Sequence, residues 1–399
     1  MSLEFGVRPV GRRSARLAEK RRKRKRNLRI GGAALGVLAL GAVAVLVLGG
    51  GDSDKGKDAQ KRTQRTVLMQ VRGADSSALA SALLAHDPRS SEGSAVLVPP
   101  QVIVSVPGVG SQPFSRALAT TSAKGSRDAL SDLMGVTVDG SWVLDTKSFS
   151  RLIDQEGGIQ ATIDVPVVTA RVVVLQAGTQ HLDGARALLY ATYLAKGEQE
   201  QTRLARLQTV LDGMVAALPS SPRTLLSSLG AGSQSSLPVG VLADVLSGMK
   251  KDDSSDQLQY RSLPVVKLDT GSDVTRFRVD AGATRTMVDE LLAASVPAGA
   301  RTKGNRVLVL NGVGTPGLGE KVRAKLIPAG FSFVGSRNAN TFDYAKTQVL
   351  VRDATAAGSA LGARVARALG VPASSVRSSN QIGTIADVVV IVGRDFKPR

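Results

Sequence analysis

The sequence contains no cysteine and only two histidines, His86 and His181. It can therefore form no disulfide and no cysteine-rich zinc site. A Ser–His–Asp triad would have to rely on one of those two histidines. Aromatic residues make up only 3% of the chain. A bound metal ion would need carboxylate ligands, so the composition is compatible only with hard cations such as Mg²⁺ or Ca²⁺.

Positive charge dominates the sequence, and it is concentrated near the N-terminal end. The 399 residues carry a formal net charge of +19. Residues 1–29 hold twelve lysines and arginines against two acidic residues, a net charge of +10. Such a run is typical either of a nucleic-acid arm or of a signal that fixes membrane topology. The segment that follows decides between these interpretations.

Gly31–Gly50 consists of twenty Gly, Ala, Val and Leu residues without a charge. As a helix rising about 1.5 Å per residue, it would span roughly 30 Å, the thickness of a bilayer core. The apolar part of a cleaved secretory signal is shorter, about 7–15 residues, so the length favours a retained anchor. The positive-inside rule then places the basic tail in the cytoplasm, against anionic membrane lipids, and no nucleic-acid partner is expected.

Composition and hydrophobic periodicity divide the chain into six segments. We predict a basic cytoplasmic tail (1–30), a transmembrane helix (31–50), a linker (51–65), a first extracellular domain (66–294), a second linker (295–304) and a second domain (305–395). Strand-like runs alternate with helical repeats in the first domain, which predicts an α/β or α+β fold with helices around a mixed sheet. Ala78–Ala85 fits either a helix or a strand. The second domain has the order βαββαβ, which predicts a small split-βαβ sandwich.

The second domain also contains a glycine pattern, in which Gly312, Gly314 and Gly317 match the G-x-G-x-x-G of dinucleotide-binding loops. The next predicted strand ends without an acidic residue for a ribose hydroxyl, and the domain is too short for a second nucleotide-binding half. Pro316 suits the first turn of a helix. We therefore interpret the pattern as a structural turn.

Six segments follow one another in a characteristic order: His86–Pro88, Val106–Gly110, Leu152–Ile163, Ala177–Ala191, Arg203–Val215 and, in the second domain, Val307–Val322. Together they resemble the LytR-CpsA-Psr family of cell-envelope proteins, the last one resembling the start of a LytR C-terminal domain. The resemblance implies transfer of a glycan polymer from a polyprenyl-pyrophosphate carrier to peptidoglycan. It also implies an apolar tunnel for the prenyl tail, arginines on the pyrophosphate and aspartates on Mg²⁺.

Most charged positions of the family carry a different residue here. Its arginines, aspartates, lysine and asparagine fall on Pro100, Gln101, Pro113, Ser115, Leu79, Thr192, Leu194 and Glu200. Only Arg203 and Arg206 remain as candidate phosphate-binding residues, and their spacing fits salt bridges with Glu198 or Glu200 equally well. No catalytic residue, metal ligand or cofactor is predicted, and only an active enzyme would need Mg²⁺.

The sequence thus predicts a single-pass bacterial membrane protein with a catalytically degenerate LytR-CpsA-Psr-like domain. Such a protein would bind a polyprenyl-linked precursor or a wall glycan, or regulate an active relative in wall assembly through protein contacts. The alternative is an active glycopolymer–peptidoglycan phosphotransferase with a rearranged site. Each lost contact of this electrostatic type raises the barrier by about 2.7–4 kcal/mol, which favours the degenerate interpretation. Asp183 is predicted to cap a helix and Trp142 to fill the core.

Overall fold

The computed structural model describes residues 63–106, 109–169, 171–268, 275–297, 305–352, 354–379 and 386–397. The predicted cytoplasmic tail and transmembrane helix lie outside these residues, as do most positions of both linkers. Within the described ranges, no helix is both long and apolar enough to cross a membrane. The fold is mixed α/β, as the sequence predicts.

The first domain is built around one large sheet. Its strands are β1 (Arg65–Arg72), β2 (Ala78–Asp87), β3 (Glu92–Leu97), β4 (Ile103–Val106), β5 (Gly110–Pro113), β6 (Gly140–Asp145), β7 (Ile159–Ile163), β8 (Val167–Thr169), β9 (Val172–Leu175), β10 (Gly178–Leu182), β11 (Ser233–Ser235), β12 (Leu258–Ser262), β13 (Val265–Leu268) and β14 (Arg276–Val279). Its helices are α1 (Phe114–Thr120), α2 (Ala123–Met134), α3 (Thr146–Asp154), α4 (Gly184–Thr192), α5 (Glu200–Ala217), α6 (Arg223–Ser228), α7 (Val239–Ser254) and α8 (Ala281–Leu291).

The strand order in the large sheet is β11-β6-β1-β2-β3-β12. The central strand β1 pairs antiparallel with β2 and parallel with β6. Residues 78–85 therefore belong to a strand. Seven of the ten residues of β2 are buried, because both faces of the sheet are covered. A continuous apolar run of this kind does not distinguish a strand from a helix by periodicity alone.

Two hydrophobic cores cover the two faces of this sheet. On one face, Val67 and Met69 of β1 pack with Trp142 and with helices α3, α4, α5 and α7. On the other face, Leu68 packs with α1, α2 and α8, as the two-residue period of a strand requires. Trp142 is fully buried, as predicted, and its indole N–H donates a hydrogen bond to Ser233 Oγ at 3.0 Å.

The second domain contains β15 (Arg306–Asn311), α9 (Leu318–Leu326), β16 (Ser332–Asn338), β17 (Gln348–Val351), α10 (Ala356–Leu369), β18 (Val376–Ser378) and β19 (Val388–Val392). The predicted βαββαβ order is present, with the short strand β18 in addition. These strands form one sheet in the order β16-β15-β19-β17-β18. Both helices contribute to one core on the same face of the sheet.

The predicted split arrangement of this domain is wrong. In a split βαβ unit another strand separates the two parallel strands. Here β15 pairs directly with β16, and β17 pairs directly with β18, both in parallel. Strand β19 joins the two units, parallel to β15 and antiparallel to β17. Strand β18 was not predicted, because three residues are too few to show a period.

The glycine-rich segment after β15 is a turn closed by one side chain. Asn311 Oδ1 accepts hydrogen bonds from the amides of Val313 and Gly314 at 3.2 and 3.0 Å, and Asn311 Nδ2 donates to the Thr315 carbonyl at 2.8 Å. Gly314 and Gly317 have φ values of +73° and +72°, which favour glycine. The pattern therefore has a structural explanation, as predicted.

Ion pairs connect the two domains. Arg337 of β16 is half-buried, pairs with Asp132 of α2 and donates to the Asp128 carbonyl at 2.8 Å. Burial lowers the pKa of Arg337 to about 10. A second pair joins Arg285 of α8 to Asp387 at 3.1 Å. The second domain therefore contacts the face of the first domain that α2 and α8 cover.

The start of α4 shows the predicted cap. Asp183 Oδ1 accepts a hydrogen bond from the Arg186 amide at 2.8 Å, and the Gly184 amide donates to Asp154 Oδ1 at 2.7 Å. Helices α3 and α4 approach so closely that a Cβ atom at Gly184 would overlap the Ser150 carbonyl oxygen. Asp154 and Gly184 thus fix α3 against α4.

We expect Gly184→Ala to lower the free energy of unfolding by about 1–3 kcal/mol, because backbone atoms must move to admit the methyl group. The fluorescence of Trp142, the only tryptophan in the chain, reports the transition in a denaturant titration. The matched control is Gly282→Ala in the first turn of α8, where the nearest atom to a Cβ lies 3.6 Å away. This control is expected to gain up to about 1 kcal/mol. Equal losses in both variants would contradict the close approach of α3 and α4.

Candidate functional site

The two predicted phosphate-binding residues lie in the first half of α5, in different environments. The side chain of Arg206 is only 1% exposed, whereas that of Arg203 is partly exposed. A long cationic side chain is rarely buried unless it is paired. The surroundings of Arg206 therefore decide what this part of the molecule can bind.

All five N–H groups of Arg206 donate to acceptors within the protein. Nε and Nη2 donate to the two carboxylate oxygens of Asp164 at 3.0 and 2.9 Å. Nη1 and Nη2 donate to the two carboxylate oxygens of Glu198, both at 2.7 Å. The remaining N–H of Nη1 donates to the Tyr193 carbonyl at 3.1 Å. A guanidinium has five donors, so the internal contacts use its full capacity.

Two tyrosine rings complete the surroundings of this guanidinium. Arg206 Cζ lies 5.1 Å from the centroid of Tyr193 and 6.0 Å from that of Tyr190, within the range of cation–π attraction. The Tyr190 hydroxyl donates to Asp164 Oδ1 at 3.1 Å. The Tyr193 hydroxyl accepts from the Val168 amide at 3.4 Å. The cluster of Arg206, Asp164, Glu198, Tyr190 and Tyr193, here called the Arg206 cluster, therefore joins the end of β7 and strand β8 to α4 and α5.

The charges of the Arg206 cluster reinforce each other. Hydrogen bonds from Arg206 are the main cause that lowers the pKa of Glu198. Burial acts to raise the pKa of Asp164, but the hydrogen bonds from Arg206 and the Val165 amide outweigh it, so that this pKa is also lowered. The same contacts raise the pKa of Arg206. At neutral pH the cluster thus holds one positive and two negative charges.

Arg203 pairs with a different carboxylate on its own helix. Its Nε donates to Glu200 Oε1 at 3.0 Å, and its Nη2 donates to the same oxygen at 2.5 Å. Burial raises the pKa of Glu200, and Arg203 opposes this rise. Both salt bridges that the spacing offered as an alternative, with Glu198 and with Glu200, are thus formed. Phosphate binding by Arg203 or Arg206 stays a prediction.

At two of the positions where the family resemblance implies charged side chains, the surface is apolar. Leu79 is 36% exposed and Leu194 is 39% exposed. Thr192 uses its hydroxyl to bond the Leu188 carbonyl of its own helix at 2.8 Å. No group of three or more histidine, aspartate or glutamate side chains close enough to hold a metal ion occurs among the described residues.

A separate group of charges lies where β1 and β6 end side by side. Arg72 is the register partner of Asp145. A hydrogen bond from an amide in the first turn of α3 lowers the pKa of Asp145, and Arg72 and Lys147 add to this effect. Asp75 follows in the next turn, where a backbone hydrogen bond, with a further contribution from Arg116, lowers its pKa. These five residues, here called the strand-end charges, combine cations and carboxylates at one edge of the sheet.

The sequence interpretation missed Asp164 and Tyr193 as partners of Arg206. Asp164 lies 42 positions before Arg206 in the chain, and no local period connects them. The aspartate directly after the alternating run 159–163 is the one available signal, since side chains at the ends of strands often meet those of covering helices.

Both domains match known protein families. The LytR_cpsA_psr family matches residues 12–236, more than half of the chain. The chain belongs to the LytR_cpsA_psr family. Residues 305–396 match a second family, described as LytR cell envelope-related transcriptional attenuator. The resemblance drawn from the ordered sequence segments is thereby confirmed.

Solved structures similar to this LytR_cpsA_psr chain include three of low sequence identity. One is described as a transcriptional regulator from Enterococcus faecalis, with 19% identity, 59% of this chain and 89% of that chain covered, and a TM-score of 0.49. B. subtilis TagV has 15% identity, with 58% and 98% covered and a TM-score of 0.49. B. subtilis TagT bound to LI-WTA has 18% identity, with 58% and 91% covered and a TM-score of 0.49. No curated protein matches the chain.

We expect Arg206→Ala to lower the free energy of unfolding of the first domain by about 3 kcal/mol. This is the lower end of the range for breaking a buried ion pair, because the side chain of Asp164 is 42% exposed and can be hydrated. Trp142 fluorescence in a urea titration measures the change. Arg206→Lys should lose nearly as much, since an ammonium cannot form the two paired bonds of a planar guanidinium.

The control for this experiment is Arg186→Ala, which removes the exposed pair with Asp183 at 3.9 Å. Exposed pairs contribute about 0–1 kcal/mol. If Arg206→Lys were as stable as the unaltered chain, the positive charge alone, and not the geometry of the guanidinium, would hold the cluster together.

Proposed function

We propose that this family member is a membrane-anchored cell-envelope protein that binds a polyprenyl-linked precursor or a wall glycan without catalysing its transfer. Regulation of an active relative in wall assembly is the other non-enzymatic role that we consider. The folded domains lie outside the cell, and the N-terminus lies in the cytoplasm. The proposal goes beyond family membership, which by itself fixes neither activity nor location.

The observation that carries the proposal is the use of Arg206 within the protein. A pyrophosphate needs free donors, and bidentate arginine contacts are the strongest that a protein offers. All five Arg206 donors are already bonded, and its two carboxylate partners leave the cluster with a net negative charge. A transferring phosphoryl group would therefore find no free cation in the Arg206 cluster, and a bound precursor would be held by its glycan or its prenyl part.

The apolar positions support the same proposal. Leu79 and Leu194 expose hydrocarbon where the resemblance implies an aspartate and an arginine. Neither side chain can neutralise a transferring phosphoryl group or hold Mg²⁺. Each such contact contributes about 2.7–4 kcal/mol to lowering the barrier, so losing several leaves transfer too slow to be the function.

The partner class follows from the family and from one relative. TagT, a protein of similar structure, is described as bound to LI-WTA, and the second matched family is described as cell envelope-related. We therefore take the ligand to be a wall polymer or its lipid-linked precursor. Membrane lipids are the partner of the basic tail, and nucleic acid is not a partner.

The rival function, an active glycopolymer–peptidoglycan phosphotransferase, has one observation in its favour. The strand-end charges bring Arg72, Asp75, Arg116, Asp145 and Lys147 to one edge of the sheet. Carboxylates and cations together are the components of a Mg²⁺-assisted phosphoryl transfer site. In this chain Asp145 caps α3 and Asp75 closes a turn, which gives both carboxylates a structural role.

We expect the purified full chain to release no product from a polyprenyl-pyrophosphate-linked glycan, with or without Mg²⁺. The same preparation should contain a bound polyprenyl lipid that mass spectrometry detects after solvent extraction. An active family member, assayed in parallel, controls for the quality of the donor substrate. Turnover that requires Mg²⁺ and is abolished by Asp145→Asn would contradict the proposal and establish the enzyme. Absence of both turnover and lipid would leave a scaffold role.

A second prediction concerns the proposed membrane anchor, residues 31–50. Deletion of residues 31–50 should release the chain from the membrane fraction, because no other segment of the sequence has twenty consecutive uncharged apolar residues. A control variant that retains 31–50 and lacks residues 2–19 should remain in the membrane. Alkaline extraction of membranes followed by immunoblotting measures both. Retention of the variant without residues 31–50 would contradict a single-pass anchor.

A further inference from the structure

Among the described residues one aromatic side chain is exposed, whereas the others are buried or half-buried. Phe342 is 49% exposed and is the only aromatic residue among the exposed large hydrophobics of the described residues. It lies in the loop between β16 and β17 of the second domain. Trp142, Phe114 and Phe149, in contrast, are fully buried. An aromatic ring left in water makes no contribution to a core, so the ring of Phe342 is available to contact a ligand.

The glycine-rich turn is shaped to hold this loop. A Cβ atom at Gly314 would lie 3.3 Å from Phe342 Cγ, and one at Gly312 would lie 2.8 Å from Tyr344 Cδ2. The absence of side chains at Gly312 and Gly314 thus leaves room for two rings of the loop. The G-x-G part of the sequence pattern supports aromatic side chains of its own chain.

Backbone hydrogen bonds fix the loop on both sides of Phe342. The Ala339 amide donates to the Asn311 carbonyl at 2.9 Å, and the Tyr344 amide donates to the Gly312 carbonyl at 3.2 Å. The Arg394 amide donates to the Tyr344 carbonyl at 3.0 Å. The ring is therefore presented by an ordered backbone, and a ligand would not have to order the loop on binding.

Two charged residues, Asp343 and Arg394, belong to the same region as Phe342, since Asp343 follows it in the chain and the Arg394 amide bonds the loop at Tyr344. Asp343, the next residue, is exposed, and its pKa is lowered by a hydrogen bond from the Thr341 hydroxyl, with a further contribution from Arg394. Asp343 is therefore ionised at neutral pH. The surface thus combines one flat apolar ring, a carboxylate that accepts hydrogen bonds and a nearby guanidinium that donates them.

The apolar ring and its charged neighbours favour one class of ligand over the others. A pyranose ring has an apolar face of C–H groups and a rim of hydroxyls, which match the ring and its polar border. A nucleotide would bring its phosphates beside the Asp343 carboxylate, and an acyl chain would meet the same charge. A second protein copy would need about 800 Å² of contact on each side, far more than one ring provides.

We propose that Phe342, Asp343 and Arg394 form a binding site for the sugar rings of a wall glycan, with the sugar stacked on Phe342. The inference rests on the proposed function, because it takes the second domain to lie outside the cell among wall polymers. It adds the residues that contact the glycan and locates them outside the first domain. The same sugar chemistry occurs in peptidoglycan strands and in polymers attached to them.

The test uses the full chain and two probes: peptidoglycan sacculi stripped of attached polymers, measured by co-sedimentation, and the released soluble polymers, measured by titration calorimetry. One of the two probes is expected to bind the unaltered chain. Phe342→Ala should weaken that binding by about tenfold, which is the effect of losing one aromatic side chain that the ligand buries. Phe342→Tyr should bind within about twofold of the unaltered chain, because it keeps the ring. Val239→Ala, which trims an exposed valine of the first domain, should bind as the unaltered chain does.

The outcomes separate this inference from the proposed function. Binding to either probe that depends on Phe342 supports the site, and the probe that binds identifies the source of the sugar. Equal binding by Phe342→Ala and the unaltered chain overturns it, as does a lack of binding to both probes. The lipid content of the same preparations tests the proposed function independently. Circular dichroism of Phe342→Ala and Phe342→Tyr verifies that both variants fold.

Discussion

The buried guanidinium of Arg206 fixes how helix α5 lies against the end of β7 and the segment after α4. Arg206 bonds Asp164 at the end of β7, Glu198 and the Tyr193 carbonyl in the segment after α4, and it does so from α5. Hydrophobic packing is non-directional and would tolerate several orientations of α5 on the sheet. Five hydrogen bonds with fixed geometry select one of them.

The same contacts limit the chemistry that this region can support. A residue whose donors are all bonded contributes to the fold, and releasing it for a ligand would leave Asp164 and Glu198 without their cation. The ligand would then have to compensate for the repulsion between two carboxylates before it gained anything. Active phosphoryl-transfer sites avoid this conflict because their cations face the ligand, where charge develops. Stability and phosphate binding therefore compete for Arg206 in this chain.

How far the sequence predicts the structure depends on the distance over which each feature is encoded. The apolar spacing of residues 204–218 indicates helix α5, the apolar run 66–71 indicates strand β1, and one side chain indicates the cap at Asp183; all three features are present. The pairing of β12 with β3 joins residues far apart in the chain, and so does the bond between Asp164 and Arg206. No local pattern carries such information. The salt bridge between Arg203 and Glu200 spans one helical turn and could be anticipated, whereas the pair between Arg206 and Asp164 could not.

The glycine pattern of the second domain shows why a motif has to be judged with its surroundings. Gly312 and Gly314 have the spacing of a nucleotide-binding turn, and a turn before a helix is what the structure contains. In a nucleotide site the missing side chains make room for a pyrophosphate. Here they make room for Tyr344 and Phe342, which come from a loop about 30 residues further on. Glycine specifies that something must approach the backbone closely, and only the tertiary structure decides whether that is a ligand or the chain itself.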